Sequence, residues 1–295
     1  MLSILIPTYN YNITKLVSEL HRQALEATID FEIIIMEDGS NTFLEENKAT
    51  ADLDFCRYIV LEKNIGRSAI RNKLADTAKY EQLIFMDCDA EVSSPDYIQR
   101  YAVFFHGEYV VLGGRIYAEN IAPQYSLLSK YGKQRERNNA DNLKKRKHRQ
   151  IFTSPNFLIS KSIFNRVRFD ESIKGYGHED TIFGIMLQRE NVKFEYIDNP
   201  VIHIGIENNQ TFVKKTEEAL RNLYSLYNSG EYPELEKESK ILSFYLKLDK
   251  EHLTCIVSVG YKIFDSLIKK NLLSARPSLF LFDFYKFAYL CNLEK

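Results

Sequence analysis

The sequence is short of cysteine, of net charge and of long apolar runs, and each shortage removes a class of protein. Its four cysteines, Cys56, Cys88, Cys255 and Cys291, are scattered without a Cys-x-x-Cys pair. That argues against a disulfide framework or a cysteine-held zinc, and it fits a reducing, cytoplasmic setting. The formal net charge is -1, so no whole-chain field favours nucleic acid, none is expected as a partner, and any electrostatic argument has to be local. The opening Met1-Leu2-Ser3-Ile4-Leu5-Ile6-Pro7 lacks a basic lead and stops being apolar at Pro7; it reads as a first strand rather than a signal peptide. The longest uncharged apolar stretch near the C-terminus, Leu253 to Tyr261, is far short of the ~20 residues that span a bilayer.

What is there is an ordinary globular composition, 45% hydrophobic and 27% charged over 295 residues, enough for one large domain or one and a half. The first hundred residues alternate in type. Short apolar runs at 3–7, 31–36, 58–61 and 83–86 are separated by amphipathic helix patterns at 13–27 and 68–78. Strands buried on both faces read as continuous apolar runs, and intervening helices imply parallel pairing. Further strands are predicted at 109–112, 115–117, 157–160, 192–197 and 201–204, a helix at 181–190, and a helical pattern from about 210 to the end. The fold class is therefore α/β, with a doubly wound sheet.

In such sheets ligands bind beyond the carboxyl ends of the strands, so the polar residues after each run carry the functional reading. Asp87 and Asp89, two apart after a buried strand, supply oxygen ligands of the kind that bridge Mg²⁺ or Mn²⁺ to a diphosphate; the plainer alternative is a solvated turn. Glu37-Asp38-Gly39-Ser40 places an acid where a base N–H or ribose hydroxyl is accepted, or it is an ordinary Asp-Gly turn. Gly66 and Ser68 open a helix whose N-terminus suits an anion. Arg67 and Arg71, four apart on that helix, suit phosphate or a base edge. Glu179-Asp180 in a glycine-rich turn suits one residue that binds hydroxyls and one that removes a proton. His203, among apolar neighbours, is either a satisfied core histidine or a third metal ligand.

Together these residues resemble the family 2 glycosyltransferases with the GT-A fold, over residues 2 to about 205. The resemblance is carried by Ile6-Pro7-Thr8-Tyr9-Asn10, Glu37-Asp38-Gly39-Ser40, Asn64-x-Gly66 through Ala69-x-Arg71-Asn72, Asp87-Cys88-Asp89 and Glu179-Asp180. It implies a mostly parallel GT-A sheet flanked by helices in a catalytic domain over 1–205. That domain divides into a nucleotide-binding half (1–112) and an acceptor half (113–205), followed by a helical extension over 206–295. It also implies inverting, Mn²⁺- or Mg²⁺-dependent transfer of a sugar (Gal, GalNAc, GlcNAc or similar) from a UDP-sugar to a hydroxyl of a glycan or lipid-linked acceptor. Thr8, Asp38 and Arg71 would hold base and ribose, in a nucleotide site shared with Pro7, Tyr9, Asn10, Glu37, Asn64, Arg67 and Cys88. Asp87 would contact ribose or metal and Asp89 the metal. Asp180 would be the general base, with Glu179 orienting acceptor or donor. Where the family usually has Asp-Asp-Gly-Ser, this chain has Glu37-Asp38, which leaves open which acid meets the base. The turn Gly175-Tyr176-Gly177-x-Glu179-Asp180 and the downstream His203 are also similar to galactosyl- and N-acetylgalactosaminyl-transferring enzymes of the chondroitin-polymerase type, in which a histidine completes the metal site. Sugar choice is expected near Gly113-Gly114-Arg115 and Asn156. The competing readings are a nucleotidyltransferase or other nucleotide-binding α/β enzyme, and a non-catalytic scaffold.

Two segments stand outside that scheme. From Lys133 to Arg149 there are eight Lys/Arg against two acids, and the stretch 132–150 reads as a basic loop or an exposed helix; it closes over the diphosphate, attracts an acidic acceptor or touches anionic lipid, or is simply solvated. The aromatic stretch 278–290 is either a helix packed on the main domain or a peripheral membrane contact.

Overall fold

The computed structural model describes residues 1–119, 121–144 and 152–293. In chain order the elements begin β1 (Leu2–Thr8), α1 (Thr14–Glu26), β2 (Phe31–Glu37), α2 (Leu44–Lys48), β3 (Cys56–Val60), α3 (Arg67–Thr77), β4 (Gln82–Met86), β5 (Ala90–Val92), α4 (Tyr97–Ala102), β6 (Tyr109–Leu112) and β7 (Arg115–Tyr117). They continue with α5 (Ser126–Lys144), β8 (Asn156–Ser160), α6 (Lys161–Arg166), α7 (Glu179–Arg189), β9 (Lys193–Tyr196), β10 (Val201–His203), α8 (Asn209–Ser229), α9 (Leu235–Glu238), α10 (Lys240–Lys250), α11 (Thr254–Leu272) and α12 (Leu279–Leu290). The chain packs as two compact units. One comprises Met1–Tyr117, Asn139–Lys174 and Glu179–Gly205; the other comprises Ala118–Asn138, Gly175–His178 and Ile206–Lys295.

The first unit is built on a seven-stranded sheet in the order β3-β2-β1-β4-β8-β6-β9. β3, β2, β1 and β4 are mutually parallel; β8 runs antiparallel to both β4 and β6. The apolar runs predicted as strands are buried because alternate residues feed opposite faces. Ile34 and Met36 of β2 join the cluster that holds Ile70 and Leu74 of α3 and Phe183 and Leu187 of α7. Ile33 and Ile35 join Val17 and Leu20 of α1 and Tyr97 and Tyr101 of α4. A strand with two buried faces cannot alternate with polar residues, hence the unbroken Ile-Ile-Ile-Met of β2.

In a second, three-stranded sheet in the order β5-β10-β7, β7 and β10 fall on the strands predicted at 115–117 and 201–204, and only β5 has no counterpart in the predicted elements. β5 is only Ala90-Glu91-Val92, too short to register as a hydrophobic run.

In the second unit, Leu127 of α5, Phe212 and Val213 of α8, Ile268 and Leu272 of α11 and Phe282 and Tyr285 of α12 form a common core. The aromatic stretch over 278–290 is largely interior to this unit, as its packed-helix reading expects: Phe282, Tyr285, Phe287 and Leu290 are buried, and Phe280 is exposed. The basic stretch is helical through Lys144, as the C-terminal part of α5, in agreement with the helical of its two readings; residues 145–150 lie outside those described. Gly175 and Gly177 have φ of 77° and 97°, and a β-carbon on either would run into Glu218 or Ala219 of α8. The glycines of the Gly-Tyr-Gly turn thus serve a close approach to α8, where Glu218 also accepts the Tyr176 N–H at 2.9 Å. No helix among the described residues is long and apolar enough to cross a membrane.

Candidate active site

β1 lies between β2 and β4, so the strand order reverses around it and leaves a crevice at the carboxyl ends. Five of the polar clusters singled out in the sequence line that edge of the first unit or begin helices beside it. Pro7 and Thr8 end β1, in register with Met36 and Glu37 of β2. Thr8 is buried and its carbonyl accepts the Asp38 N–H at 2.8 Å. Tyr9 is half exposed. Asn10 takes a left-handed backbone, φ 51°, and its side-chain oxygen accepts the N–H groups of Asn41 and Thr42 at 2.7 and 3.2 Å. It ties the β1 and β2 loops together.

The two acids after β2 are both committed internally. Glu37 is fully buried and accepts hydrogen bonds from Ser40 Oγ, Asn47 Nδ2 and Tyr58 OH. Asp38 reaches across to the β3–α3 loop, where Oδ1 accepts the Ile65 N–H at 2.7 Å and Oδ2 the Gly66 N–H at 3.2 Å. Burial pushes its pKa up against the pull of those two donors. Glu37, the departure from the usual acid pair, is a packing anchor in this arrangement. Asp38 shapes the loop that carries exposed Asn64 and the start of α3.

α3 directs two guanidinium groups at the edge. Arg71 is almost fully buried, donates from Nη2 to Asp87 Oδ1 at 2.7 Å and lies 5.5 Å from the centre of the Phe169 ring. Arg67 is half exposed and approaches Glu179 at 3.7 Å. Burying an arginine and an aspartate is tolerated because each compensates the other. Asp87 is thereby turned toward α3.

Its neighbour two residues on is turned the other way. Asp89 Oδ1 lies 3.5 Å from His203 Nδ1. The small sheet creates this pair: β10 runs antiparallel to β5 with His203 opposite Ala90, and the N–H groups of Ile204 and Gly205 donate to the Asp89 carbonyl at 2.9 and 3.3 Å. Gly205 leaves the room required, since a β-carbon there would sit 2.4 Å from that of Asp89. Burial raises the Asp89 pKa, but the His203 hydrogen bond and the charges of Arg67 and Arg115 outweigh it, so the net shift is downward and the carboxylate stays ionised. Between the two acids, burial and the flanking charges push the Cys88 thiol up to about 12, leaving it neutral. Tyr117 packs edge-on against the His203 ring at 5.4 Å. Tyr11 comes close enough for Asp89, together with burial, to raise its pKa. The sequence pattern did not single out Tyr117, Gly205 or Tyr11, because their partners arrive through strand register rather than spacing.

Among the described residues no group of three or more His, Cys, Asp and Glu side chains is arranged to hold a metal ion. Asp89 and His203 form a two-donor set, oxygen and imidazole nitrogen, of the kind that takes a divalent ion whose remaining positions are filled by phosphate oxygens and water.

Glu179 and Asp180 open α7. Glu179 is buried; burial first, then repulsion from Asp180, push its pKa up against the pull of Arg67 and Arg71. Its Oε2 has no hydrogen-bond partner, and neither do the buried Ser68 Oγ and Arg71 Nε on α3. Orphaned buried polar atoms are costly and rare; here they lie on the two helices whose ion pair faces the carboxyl edge. Asp180 is partly exposed and accepts the Thr181 N–H at 2.7 Å. Asn156, expected to help choose the sugar, is instead a satisfied core group: Tyr97 and Tyr101 donate to its Oδ1 at 2.6 and 2.7 Å, and its Nδ2 donates to the carbonyls of Gly114 and Asn199. Gly113 is packed against the same cluster, so of that group only Arg115 acts electrostatically on the Asp89 edge.

Fold and edge define a class, an α/β enzyme with acids, arginines and a metal-competent pair at the strand reversal. The family follows from comparison. A model of "Glycosyl transferase family 2" matches residues 3–168, more than half of the chain, and the chain belongs to that family. Chondroitin synthase of Escherichia coli is 27% identical over 236 residues, covering 68% of this chain but 34% of the synthase, so the match spans about a third of that relative. The fold is shared with the mannosyltransferase PcManGT from Pyrobaculum calidifontis, solved with GDP-Man and Mn²⁺, at TM-score 0.58 and 10% identity over 98% of this chain and 84% of that one. It is shared also with S. aureus TarS, solved with UDP-GlcNAc, at TM-score 0.52 and 18% identity over 98% and 89%.

Proposed function

We propose that the chain transfers a hexose or N-acetylhexosamine (Gal, GalNAc, GlcNAc or similar) from a UDP-sugar to a hydroxyl of a glycan or lipid-linked acceptor, with inversion, in polysaccharide biosynthesis at the cytoplasmic side. The observation that carries this reading is the Asp89–His203 pair beside the Asp87–Arg71 ion pair at the strand reversal. The chondroitin synthase relative supports a glycan product, the TarS complex a UDP-linked donor and the PcManGT complex Mn²⁺. The four free cysteines fit a reducing compartment.

In this reading Pro7 to Asn10, Asp38, Asn64, Arg67 and Arg71 surround base and ribose, with Glu37 and Cys88 behind them as packing. Asp87, fixed by Arg71, meets the ribose. Asp89 and His203 would hold Mn²⁺ or Mg²⁺, which when bound would supply positive charge for the leaving diphosphate. Asp180 takes the proton from the acceptor hydroxyl as that oxygen bonds to the anomeric carbon and the bond from that carbon to the diphosphate breaks; attack opposite the leaving group inverts the centre. Glu179 orients a sugar hydroxyl.

A panel of UDP-Gal, UDP-GalNAc, UDP-GlcNAc and GDP-Man with Mn²⁺ tests this: UDP release from at least one UDP-sugar is expected. No release from any, with tight binding of another nucleotide, would return the nucleotidyltransferase reading; no nucleotide binding at all would return the scaffold. Asp180→Asn is expected to lower transfer by about 10²–10⁴-fold while UDP binding survives. Loss of both together would mean that Asp180 has another role.

A further inference from the structure

Helix α11 is built inside out. A helix on the surface of a folded unit normally turns its apolar stripe inward. Here Ile256, Val259, Ile263 and Leu267 follow a three-four-four spacing on the outward side, and Phe264 widens the stripe; each of the five is between 52 and 69% exposed. The inward side is largely polar. Ser258 donates to Asn292 Oδ1 at 2.7 Å, Thr254 to Asp249 Oδ1 at 3.2 Å, and Asp265 pairs with Lys269 at 3.1 Å, with Ile268 and Leu272 supplying the apolar contact. The buried Thr254 and Ser258, each satisfied in this way, fix which face points in, so the exposure of the stripe is a property of the fold. Leu253, Leu273 and Phe280 are exposed as well.

The charges around the stripe are of one sign. Residues 253–280 contain Lys262, Lys269, Lys270 and Arg276 against a single acid, Asp265, and that acid is on the inward side, occupied by Lys269. Lys262 and Lys270, both exposed, project from one flank of the stripe. We propose that this face of α11 lies on an anionic phospholipid bilayer, its apolar stripe among the acyl chains and its lysines at the headgroups. A second copy of the chain is a poorer occupant: a two-fold contact would set basic flank against basic flank. The contact is peripheral and independent of which sugar is transferred.

The test is flotation of the full chain with vesicles of phosphatidylcholine alone and of phosphatidylcholine with phosphatidylglycerol. The wild-type chain should float with the anionic vesicles, less so as salt is raised. A Phe264→Glu, Leu267→Glu variant should lose at least about tenfold in partitioning with an unchanged circular dichroism spectrum, since both side chains point outward. Lys262→Glu, Lys270→Glu should lose preference for the anionic vesicles. Because the chain has no tryptophan, Ile263→Trp adds a single reporter whose emission should shift to the blue with anionic vesicles, a readout that does not depend on the charge variants folding. No flotation with anionic vesicles, flotation unaffected by Phe264→Glu and Leu267→Glu, or a reporter that stays fully aqueous would overturn the proposal. A wild-type dimer in sedimentation velocity that the same pair of substitutions converts to monomer would assign the face to a second copy.

Discussion

The acids after β2 and the acids after β4 look alike in sequence and are opposites in structure. Glu37 and Asp38 spend four carboxylate oxygens on Ser40, Asn47, Tyr58 and two backbone N–H groups. Asp87 and Asp89 make one close side-chain contact each, to Arg71 and His203. The first pair is acceptor capacity used up in holding loops; the second is paired with an arginine and an imidazole, side chains of the kinds that can also take phosphate or metal. The lesson is that a strand-end acid is read by what its partner can do next: a neutral amide or backbone donor ends the chain of interactions, whereas an arginine or an imidazole extends it.

That contrast can be broken by substitution. The largest effect belongs to the second pair. Asp89→Asn should lower Mn²⁺-dependent transfer by about a hundredfold or more with little change in melting temperature, and Mn²⁺ binding in the presence of UDP, followed by electron paramagnetic resonance, should weaken in parallel. Glu37→Ala should do the reverse. It strands the Ser40 hydroxyl and one Asn47 N–H, while Tyr58 keeps the Leu44 carbonyl and Asn47 the Tyr11 carbonyl; at about 1–3 kcal/mol for each orphaned buried group the loss should be clear in chemical denaturation, while transfer by the molecules still folded changes far less. If Glu37→Ala instead leaves stability intact and removes UDP binding, the division between the pairs is wrong.

Asn156→Ala is a control within the fold. It leaves the Tyr97 and Tyr101 hydroxyls without their acceptor and should cost about 1–3 kcal/mol without changing which donor is preferred; a switch of donor would restore Asn156 to the sugar pocket.

The smallest effect separates stability from function at Glu179. Its pKa in the folded protein is raised above the ordinary 4.5. The protonated form is thus favoured by folding, and wild-type stability falls as pH climbs from the unfolded value through the folded one. Glu179→Gln has no proton to lose. It should match wild type in melting temperature at acidic pH and exceed it increasingly as pH rises above 4.5, while transfer declines. A stability difference that does not depend on pH would place the charge of Glu179 elsewhere.

Much of the fold was legible in the amino-acid order. The runs at 31–36 and 83–86 emerge as central strands because a strand buried on both faces has no polar positions to interrupt it. Less legible was anything set by register. β5 has three residues, and His203 reads equally as a core histidine until β10 is seen beside β5, opposite Ala90. Asn156 misleads in the other direction: a polar residue at a strand end near two glycines resembles a pocket, and only four partners from α4, the β6–β7 turn and the β9–β10 segment reveal a core hub. The stretch from Lys133 reads as a loop or as an exposed helix because its charge leaves no apolar period to choose between them, and the structure makes it helical through Lys144.

The order of residues by itself determined the α/β class, the strands and the inventory of acids and arginines beyond them, because burial on two faces and helix periodicity are local properties of sequence. Tertiary structure decided which acid faces which partner. Glu37 was closed off by Ser40, Asn47 and Tyr58, Asp89 was brought to His203 by a pairing across more than a hundred residues, and the outward turn of the α11 stripe was set by polar contacts on its other side. Such choices depend on distance in space, and no spacing along the chain encodes that.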